Sequence, residues 1–134
     1  MESCIFCKIV KGEIPCTKVY ENSSVLAFLD VSPVNPGHIL VVPKKHSETI
    51  IDADENSLCE TMNAVKKLSN AVMKAVKADG INVSINNFKA AGQLVPHLHV
   101  HIIPRFENDG LKLDWPVKKL TGMDKIAEQI RKAL

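Results

Sequence analysis

The sequence predicts an α+β domain with a mostly antiparallel sheet, one long helix and a short C-terminal helix. Short strand-like segments outnumber helical ones, a hairpin comes first, and one long helical pattern stands in the middle of the chain. The 134 residues fit a single domain, 1–134. For a folded chain of this size, surface scaling gives an accessible area of about 7,000 Å².

The first half of the chain consists of strand and turn patterns. Residues 18–20 and 25–28 are apolar runs, and the polar stretch between them is turn-like, which predicts a hairpin. Residues 33–37 contain two prolines and a glycine and predict a loop. The β-branched stretch 38–42 then predicts a strand, which Pro43 ends.

Residues 55–78 form the clearest helical pattern, and we expect Gly80 to end it. Residues 81–86 and 97–103 predict two further strands, and residues 123–134 predict a short amphipathic helix. The long helix carries apolar residues at intervals of three and four, namely Leu58, Met62, Val65, Leu68, Val72 and Val76.

Composition and charge exclude several classes of protein. A formal net charge of +2 is too small for a nucleic-acid-binding surface, and no apolar run approaches the roughly 18 residues of a membrane span. Four cysteines are too few for a secreted disulfide scaffold, and the N-terminus lacks a signal-peptide pattern. We therefore expect a cytoplasmic protein with reduced thiols.

Histidines alternate with aliphatic residues along the segment 97–102. Successive side chains of a strand point to opposite faces, so we expect His97, His99 and His101 on one face and the aliphatic residues on a core face. Chance alternation is improbable with five histidines in the chain. Two interpretations stay open, a metal site on a His-x-His strand or nucleophilic and acid–base chemistry at phosphorus.

The pattern His-φ-His-φ-His-φ-φ, in which φ is aliphatic, resembles the signature of the histidine triad (HIT) family of nucleotide hydrolases and transferases. The resemblance runs from residue 3 to residue 105 and implies the HIT fold. Further segments that resemble this family are residues 4–10, 12–15, 28–33 and 37–46 and the pair Gly92-Gln93.

The resemblance implies that His99 is a nucleophile, which attacks the α-phosphate of a nucleotide and forms a nucleotidyl-histidine intermediate that water hydrolyses. A main-chain carbonyl at His97 would hold the His99 ring in its reactive tautomer. His101 would contact the phosphate and protonate the leaving group, and His38 would be an additional active-site histidine. The substrates would be adenosine nucleotides of the AMP-amidate or dinucleoside polyphosphate type.

The resemblance also implies a nucleotide site and a homodimer. Asp30 would accept the ribose hydroxyls, for which an ionised carboxylate is suited, and Asn86 and Gln93 would contact the phosphate. The implied apolar slot for the base consists of Phe6, Ile9, Phe28 and Leu29. Alternatively, the two phenylalanines and Ile9 are plain core residues, and Asp30 caps a loop.

Cys4 and Cys7 form a Cys-x-x-Cys pair, which alone is weak evidence because a closed tetrahedral zinc site needs four ligands. A redox pair is disfavoured because no βαβ pattern surrounds it, and a chance pair stays an alternative. Microbial HIT relatives that this chain resembles bind zinc with two cysteines and two histidines. The resemblance places those histidines at His46 and His97 and implies structural zinc. Cys59 is expected to be a core or boundary thiol.

Three departures from the family pattern bear on function. Leu94 stands where well-known branches have a hydroxyl residue that contacts phosphate, which disfavours efficient phosphoramidate hydrolysis. Pro104-Arg105 resembles the dinucleoside-polyphosphate branch, whereas Trp115-Pro116 resembles the phosphoramidase branch but lies farther from the triad. The competing functions are a nucleotide-binding regulatory protein with little turnover and a metallohydrolase with a catalytic ion.

Overall fold

Within residues 3–112 and 114–134, which the computed structural model describes, five strands form one antiparallel sheet in the order β1-β2-β3-β5-β4. The strands are β1 (Lys18–Glu21), β2 (Val25–Leu29), β3 (Ile39–Pro43), β4 (Gly80–Ser84) and β5 (Val100–Arg105). The helices are α1 (Ile5–Val10), α2 (Glu55–Ala75) and α3 (Met123–Ala133). The predicted α+β class, first hairpin and later helices are confirmed. No helix in this part of the chain is long and apolar enough to cross a membrane.

The sheet separates two apolar clusters because successive side chains of each strand point to opposite faces. On the α2 face, the cluster consists of Val25, Ala27, Ile39, Val41, Ala64, Val65, Leu68, Val72, Val100 and Ile102. On the α1 face, it consists of Cys4, Phe6, Cys7, Leu26, Phe28, Leu40 and Val42. His101 belongs to the α1 face because it pairs with Leu40 across the ladder of β3 and β5.

Strand β5 begins at Val100 and not at the predicted His97. His97 and Leu98 leave the ladder because their backbone amides bond elsewhere. The amide of His97 donates to the carbonyl of Val95 at 2.8 Å, and that of Leu98 to the carbonyl of Ser47 at 2.8 Å. The alternation of faces nevertheless holds on the core side, since Leu98 and Val100 are both almost completely buried.

Helix α2 ends at Ala75 instead of at residue 78. The left-handed residue that follows it is Lys77, with a φ of 54°, whereas the predicted stop, Gly80, already starts β4. The chain turns early because the amide of Asp79 donates to the carbonyl of Arg105 at 2.9 Å, which begins the pairing of β4 with β5. Strand β4 is therefore shifted toward the N-terminus from the predicted 81–86.

The buried side of α2 also differs from the prediction in its first half. Ser57, Thr61 and Ala64 are buried there, while Met62, one of the regularly spaced apolar residues, is 40% exposed. Counting apolar residues overlooks such positions, because a small hydroxyl can be satisfied within the helix. The Thr61 hydroxyl donates to the carbonyl of Ser57 at 2.8 Å. Cys59, predicted to be a core or boundary thiol, is exposed.

Helix α1 was not predicted, because six residues are too few for a periodic apolar pattern. Cys4 starts the helix, and its Sγ accepts the backbone amide of Cys7 at 3.4 Å. Phe6 points inward and is 6% exposed. The short helix thereby places an aromatic ring and both cysteines against the α1 face.

Helix α3 has no buried residue, although Met123, Ile126 and Ile130 recur on one side of it. The accessible surface of the chain is 9440 Å², whereas a compact folded chain of this size exposes about 7,000 Å². The chain therefore presents more surface than a compact single domain does.

Gly37 precedes His38 with a φ of 87°, and a Cβ there would lie 3.1 Å from Cγ1 of Val76 and 3.2 Å from Cγ of Pro104. We expect Gly37→Ala to lower the free energy of unfolding by about 2–4 kcal/mol, because left-handed strain and crowding add. Gly110→Ala is the matched control, since Gly110 has a φ of 75° and no atom within 4 Å of a built Cβ. The control should lose only about 1 kcal/mol. Urea unfolding measures both, and equal losses would contradict the crowding.

Candidate active site

His99 and His101 lie side by side on the α1 face, with ring centroids 5.0 Å apart. The ring of Phe6 packs edge-on against His99 at 5.2 Å. His38, directly before β3, brings its Nε2 to 3.0 Å from Nδ1 of His101. The structure thus brings the three histidines predicted for the reaction into one group.

The protonation of His99 follows from one contact. Its Nδ1 lies 2.6 Å from the carbonyl oxygen of His97, and because a carbonyl only accepts, Nδ1 carries the hydrogen. Nε2 of a neutral His99 is then a bare nucleophile. Burial lowers the pKa of His99, against the opposing effects of the His97 carbonyl and the Asp30 carboxylate. The geometry therefore favours the neutral tautomer that nucleophilic attack needs.

The pair of His38 and His101 has a defined direction as well. The backbone amide of Val34 lies 3.1 Å from Nδ1 of His38, and because an amide only donates, this Nδ1 carries no hydrogen. A neutral His38 then has its hydrogen on Nε2 and donates it to Nδ1 of His101 at 3.0 Å. His101 in turn carries its own hydrogen on Nε2, and this N–H has no acceptor among the described residues.

Asp30 caps the loop before β3 and also faces the histidines. Its Oδ1 accepts the backbone amide of Ser32 at 2.8 Å, which caps the loop. Its Oδ2 lies 3.5 Å from Nε2 of His38, and the side chain is 16% exposed. The carboxylate therefore faces the histidines and opposes the lowering of the His38 pKa that burial causes.

Burial lowers the pKa of His101 to about 4, His99 and His38 act in the same direction, and Asp30 opposes them. For a nitrophenyl ester of AMP, whose leaving group needs no proton, kcat/KM should follow the neutral fraction of His99, whose pKa burial lowers. We therefore expect kcat/KM to fall on acidification with its half-loss below the ordinary histidine value of 6.5. The free energy of unfolding should also fall as the pH falls from 6.5 to about 4. In this range His101 binds a proton in the unfolded chain and not in the folded chain. A half-loss of kcat/KM at the ordinary histidine value of 6.5 would contradict this.

The predicted phosphate contact Gln93 has its polar atoms engaged by the main chain. Its Nε2 donates to the carbonyls of Glu48 at 2.6 Å and Val95 at 3.1 Å, and its Oε1 accepts the amide of Phe88 at 2.7 Å. The last contact holds Phe88 at a φ of 69°, which costs a non-glycine residue about 1–3 kcal/mol. Both amide hydrogens are used, so Gln93 holds the loop before the triad in this state. Asn86 is half-buried, and its phosphate contact stays a prediction.

The four residues predicted to bind the base do not share one surface. Phe6 and Phe28 are 6% and 3% exposed and pack edge to face at 5.6 Å on the α1 face, where Ile9 packs against their cluster. Leu29 packs on the α2 face instead, because it follows Phe28 in β2 and points to the opposite side. The structure does not bring Leu29 to the slot, and the two phenylalanines are core residues in this state.

A second group of side chains joins α1 to the start of the triad. Cys4, Cys7, His46 and His97 place one ligand atom each within 4.8 Å of one another. Nδ1 of His97 lies 3.1 Å from Nδ1 of His46, 3.4 Å from Sγ of Cys4 and 3.5 Å from Sγ of Cys7. The usual bond lengths of tetrahedral zinc separate two nitrogen ligands by about 3.3 Å and nitrogen from sulfur by about 3.5 Å. The spacing of the four predicted ligands fits such an ion.

The donor chemistry of this Cys/His cluster fits zinc as well. Nε2 of His97 lies 2.8 Å from the carbonyl of Pro43, so it carries the hydrogen and leaves Nδ1 bare for a metal. Burial and the contact with Cys4 raise the pKa of the Cys7 thiol. Binding of a metal would therefore release a proton from this thiol, and affinity should fall as the pH falls.

Comparison with known proteins identifies the family of this chain. The HIT domain family matches residues 11–108. The chain belongs to the HIT family. It is 46% identical to the adenosine 5′-monophosphoramidase hnt1 of Schizosaccharomyces pombe, over 85% of this chain and 84% of that protein. The crystal structure of a HIT-family protein from Bacillus subtilis matches with a TM-score of 0.91 and 41% identity, over 98% of this chain and 97% of that one.

A zinc-bound HIT relative bears on the Cys/His cluster. The crystal structure of a zinc-bound histidine triad family protein from Mycobacterium smegmatis matches with a TM-score of 0.79 and 31% identity, over 99% of each chain. Together with the ligand spacing, this supports the hypothesis that the HIT domain of this chain binds zinc.

A second set of candidate ligands lies within the HIT triad site. Asp30, His38 and His101 also place ligand atoms within 4.8 Å of one another, as a catalytic ion on the histidine strand would need. A metal on Nε2 of a neutral His38 requires a hydrogen on Nδ1, yet the amide of Val34 already points at Nδ1. Metal binding here would break that bond or need an imidazolate, so the geometry favours proton chemistry at this set.

The groups that sequence reasoning missed in the HIT site are main-chain groups. The amide of Val34 sets the tautomer of His38, and the carbonyl of Pro43 sets that of His97. The sequence indicates these two main-chain groups only indirectly. Val34 lies in the loop before His38, and Pro43 is the last residue of β3. A turn-rich loop directly before a polar residue at a strand start is the pattern that points to such contacts.

Proposed function

We propose that this HIT protein is a nucleotide hydrolase or nucleotidyl transferase that acts at the α-phosphate of adenosine nucleotides through a covalent nucleotidyl-His99 intermediate. The observation that carries the proposal is the 2.6 Å contact from Nδ1 of His99 to the carbonyl of His97, which leaves Nε2 as the nucleophile. The adenosine 5′-monophosphoramidase of S. pombe, 46% identical, supports the substrate class.

The proposed reaction has two displacements at phosphorus. In the first, the lone pair of His99 Nε2 forms a bond to the α-phosphorus, and the bond to the leaving group breaks with its electron pair on the leaving atom. An amine leaving group accepts a hydrogen bond from the Nε2–H of His101 and takes the proton it needs from a solvent water, so His101 stays neutral. The hydroxide that forms accepts the proton that the second displacement releases. In the second, water attacks phosphorus, loses a proton, and releases AMP and the free lone pair of His99.

Nucleotide binding in this proposal relies on Asp30 for the ribose hydroxyls and on Phe6, Ile9 and Phe28 for the base. Asp30 Oδ2 is the oxygen that is not engaged by the Ser32 amide, so it is the one that would accept a hydroxyl. The two phenylalanines are buried, and a base would have to pack against their outer edges. Contacts of Asn86 with the phosphate belong to the same proposal.

The assay that tests the function offers three substrates, an AMP-amidate, AMP-lysine and a diadenosine polyphosphate, and measures released AMP. We expect release from at least one, and Leu94 favours the polyphosphate over the amidates. Tight binding of AMP without release from any of them would instead support a regulatory nucleotide-binding protein.

We further propose that Cys4, Cys7, His46 and His97 bind structural zinc. Four protein ligands close a tetrahedral site, so the ion would supply no open position for catalysis. It would hold α1 against the sheet and fix the residue whose carbonyl orients His99. The fit of the ligand spacing and the bare Nδ1 of His97 support this proposal.

We also propose a cytoplasmic homodimer that binds nucleotides and neither nucleic acid nor membranes. The support for a dimer is exposed apolar surface: Met62 on α2 is 40% exposed, Val83 on the edge strand β4 43%, and Ile126 on α3 43%. The accessible surface of 9440 Å² exceeds the roughly 7,000 Å² of a compact domain of this size. The difference is larger than the roughly 800 Å² that each partner buries in an ordinary interface. Light scattering of the full chain would measure the mass.

A further inference from the structure

Asn35 ties the loop before β3 to the far end of β5. Its Nδ2 donates to the carbonyl of Pro104 at 2.9 Å and to Oδ2 of Asp109 at 3.0 Å. One amide group therefore uses both of its hydrogens on two acceptors of another element. Such a contact fixes the position of the loop relative to the strand that carries His101.

The acceptor Asp109 is itself firmly held. Nε of Arg105 donates to its Oδ2 at 2.7 Å and Nη2 to its Oδ1 at 3.1 Å, and the Asp109 side chain is 7% exposed. Arg105 also reaches Oδ1 of Asn82 on β4 at 2.8 Å. Arg105 holds the pKa of the Asp109 carboxyl well below its usual range. The carboxylate therefore stays ionised and is a rigid anchor for Asn35.

The loop that Asn35 anchors is the one that determines the tautomer of His38. The carbonyl of Asn35 accepts the backbone amide of His38 at 3.1 Å. The preceding residue, Val34, points its own amide at Nδ1 of the His38 ring, also at 3.1 Å. Among the described residues, the Val34 amide is the only donor to Nδ1 of His38, and it keeps the hydrogen of His38 on Nε2. A shift of this loop would move that amide.

We propose that Asn35 is a positioning residue, which holds the amide of Val34 on His38 and thereby keeps the hydrogen of His101 on Nε2, where the leaving group needs it. Without this anchor, the hydrogen of His38 can move to Nδ1, against the pull of Asp30 Oδ2 at 3.5 Å from Nε2, and Nε2 then accepts. His101 then donates Nδ1–H to His38 and leaves its own Nε2 bare, so the leaving group loses its donor. The inference rests on the proposed function, because it assigns the donor for that reaction.

The test compares two leaving groups in Asn35→Ala. We expect kcat/KM for an alkyl phosphoramidate of AMP, whose amine must be protonated, to fall about tenfold or more. For the nitrophenyl ester of AMP, which leaves as an anion, the fall should be less than about twofold. The ratio of the two is unaffected by any fraction of unfolded protein. Equal losses on both substrates would overturn the proposal.

Two further variants serve as references. Asn70→Ala removes an exposed amide of α2, which donates to the carbonyl of Lys66 within its own helix, and should leave the ratio unchanged. Asn35→Asp keeps the side-chain volume but has no amide hydrogens and adds a negative charge beside Asp109. It should reproduce the selective loss of Asn35→Ala, and a normal ratio in Asn35→Asp would contradict a role for the two hydrogen bonds.

A double-mutant cycle with His101→Ala shows whether Asn35 acts through His101. His101→Ala alone should lose the phosphoramidate selectively, and adding Asn35→Ala should then change kcat/KM by less than about twofold. If the two losses multiply, Asn35 does not act through His101 and the proposal is wrong. If His101→Ala itself shows no preference between leaving groups, the donor role in the proposed function fails instead.

Nitrogen-15 NMR of histidine-labelled protein provides a direct readout of the tautomer. Nε2 of His101 should have the shift of a protonated ring nitrogen in the wild type and in Asn70→Ala. In Asn35→Ala it should move toward the shift of a bare nitrogen, while Nε2 of His99 stays bare. An unchanged His101 spectrum in Asn35→Ala would overturn the proposal even if activity is lost.

Discussion

Replacing His99 by alanine is expected to lower kcat/KM for AMP release by at least about 10⁴-fold, because the variant lacks the only group in the proposed reaction that bonds to phosphorus. The Nε2 of His99 is bare because Nδ1 donates to the carbonyl of His97 at 2.6 Å. Neither His38 nor His101 offers an equivalent atom, since their facing nitrogens are committed to each other at 3.0 Å. Steady-state release of AMP from the best of the three substrates measures the loss.

The control for His99→Ala is nucleotide binding. Its dissociation constant for AMP should stay within about threefold of the wild type, because Asp30 and most of the base slot remain and only Phe6 loses its edge contact with the His99 ring. Asn70→Ala, on the exposed side of α2, should match the wild type in both measurements. A His99→Ala protein that keeps a tenth of the activity or more would contradict the nucleophile assignment.

The second large effect is expected for Cys4→Ser. It should abolish the zinc content of the purified protein and lower the free energy of unfolding by about 4 kcal/mol or more, because three remaining ligands hold the ion poorly. For a domain of this size the midpoint of thermal unfolding should fall by roughly 15 °C. The α2-face cluster contains none of the four metal ligands, so we expect the variant to fold at low temperature.

Cys59→Ser is the matched control, because Cys59 is an exposed thiol on α2. It should keep one zinc per chain and the wild-type melting temperature. Metal analysis of both variants also separates the two metal hypotheses. Zinc that survives in Cys4→Ser would belong to another site, such as Asp30, His38 and His101, and would support a catalytic ion there. An absence of zinc from the wild type would contradict the structural site.

The sheet and the faces of its strands were predictable because they depend on local rules. The alternation of histidine and aliphatic residues assigns the faces of 97–102 through the period of a strand alone, and the buried Val100 and half-buried His101 follow it. The end of α2 was not predictable in the same way. Its last turn is decided by the bond from the Asp79 amide to the Arg105 carbonyl, which joins residues 26 positions apart.

The site was predictable in its side chains and not in its main-chain contacts. The motif names His99, but whether its Nε2 is bare depends on a carbonyl two residues away. The family resemblance implied that Gln93 contacts the phosphate, yet the carbonyls of Glu48 and Val95 occupy its donors. The family resemblance placed Leu29 in the base slot with Phe28, although neighbours in a strand point to opposite faces.

The most direct test of the central claim is to trap the covalent intermediate. Protein mixed rapidly with substrate is quenched in alkali, digested with trypsin and analysed by mass spectrometry. One tryptic peptide, residues 90–105, contains His97, His99 and His101, so fragmentation within it must locate the adduct. The account predicts one added AMP on His99, absent from the His99→Ala protein. An adduct on His101, or AMP release without any adduct on this peptide, would contradict it.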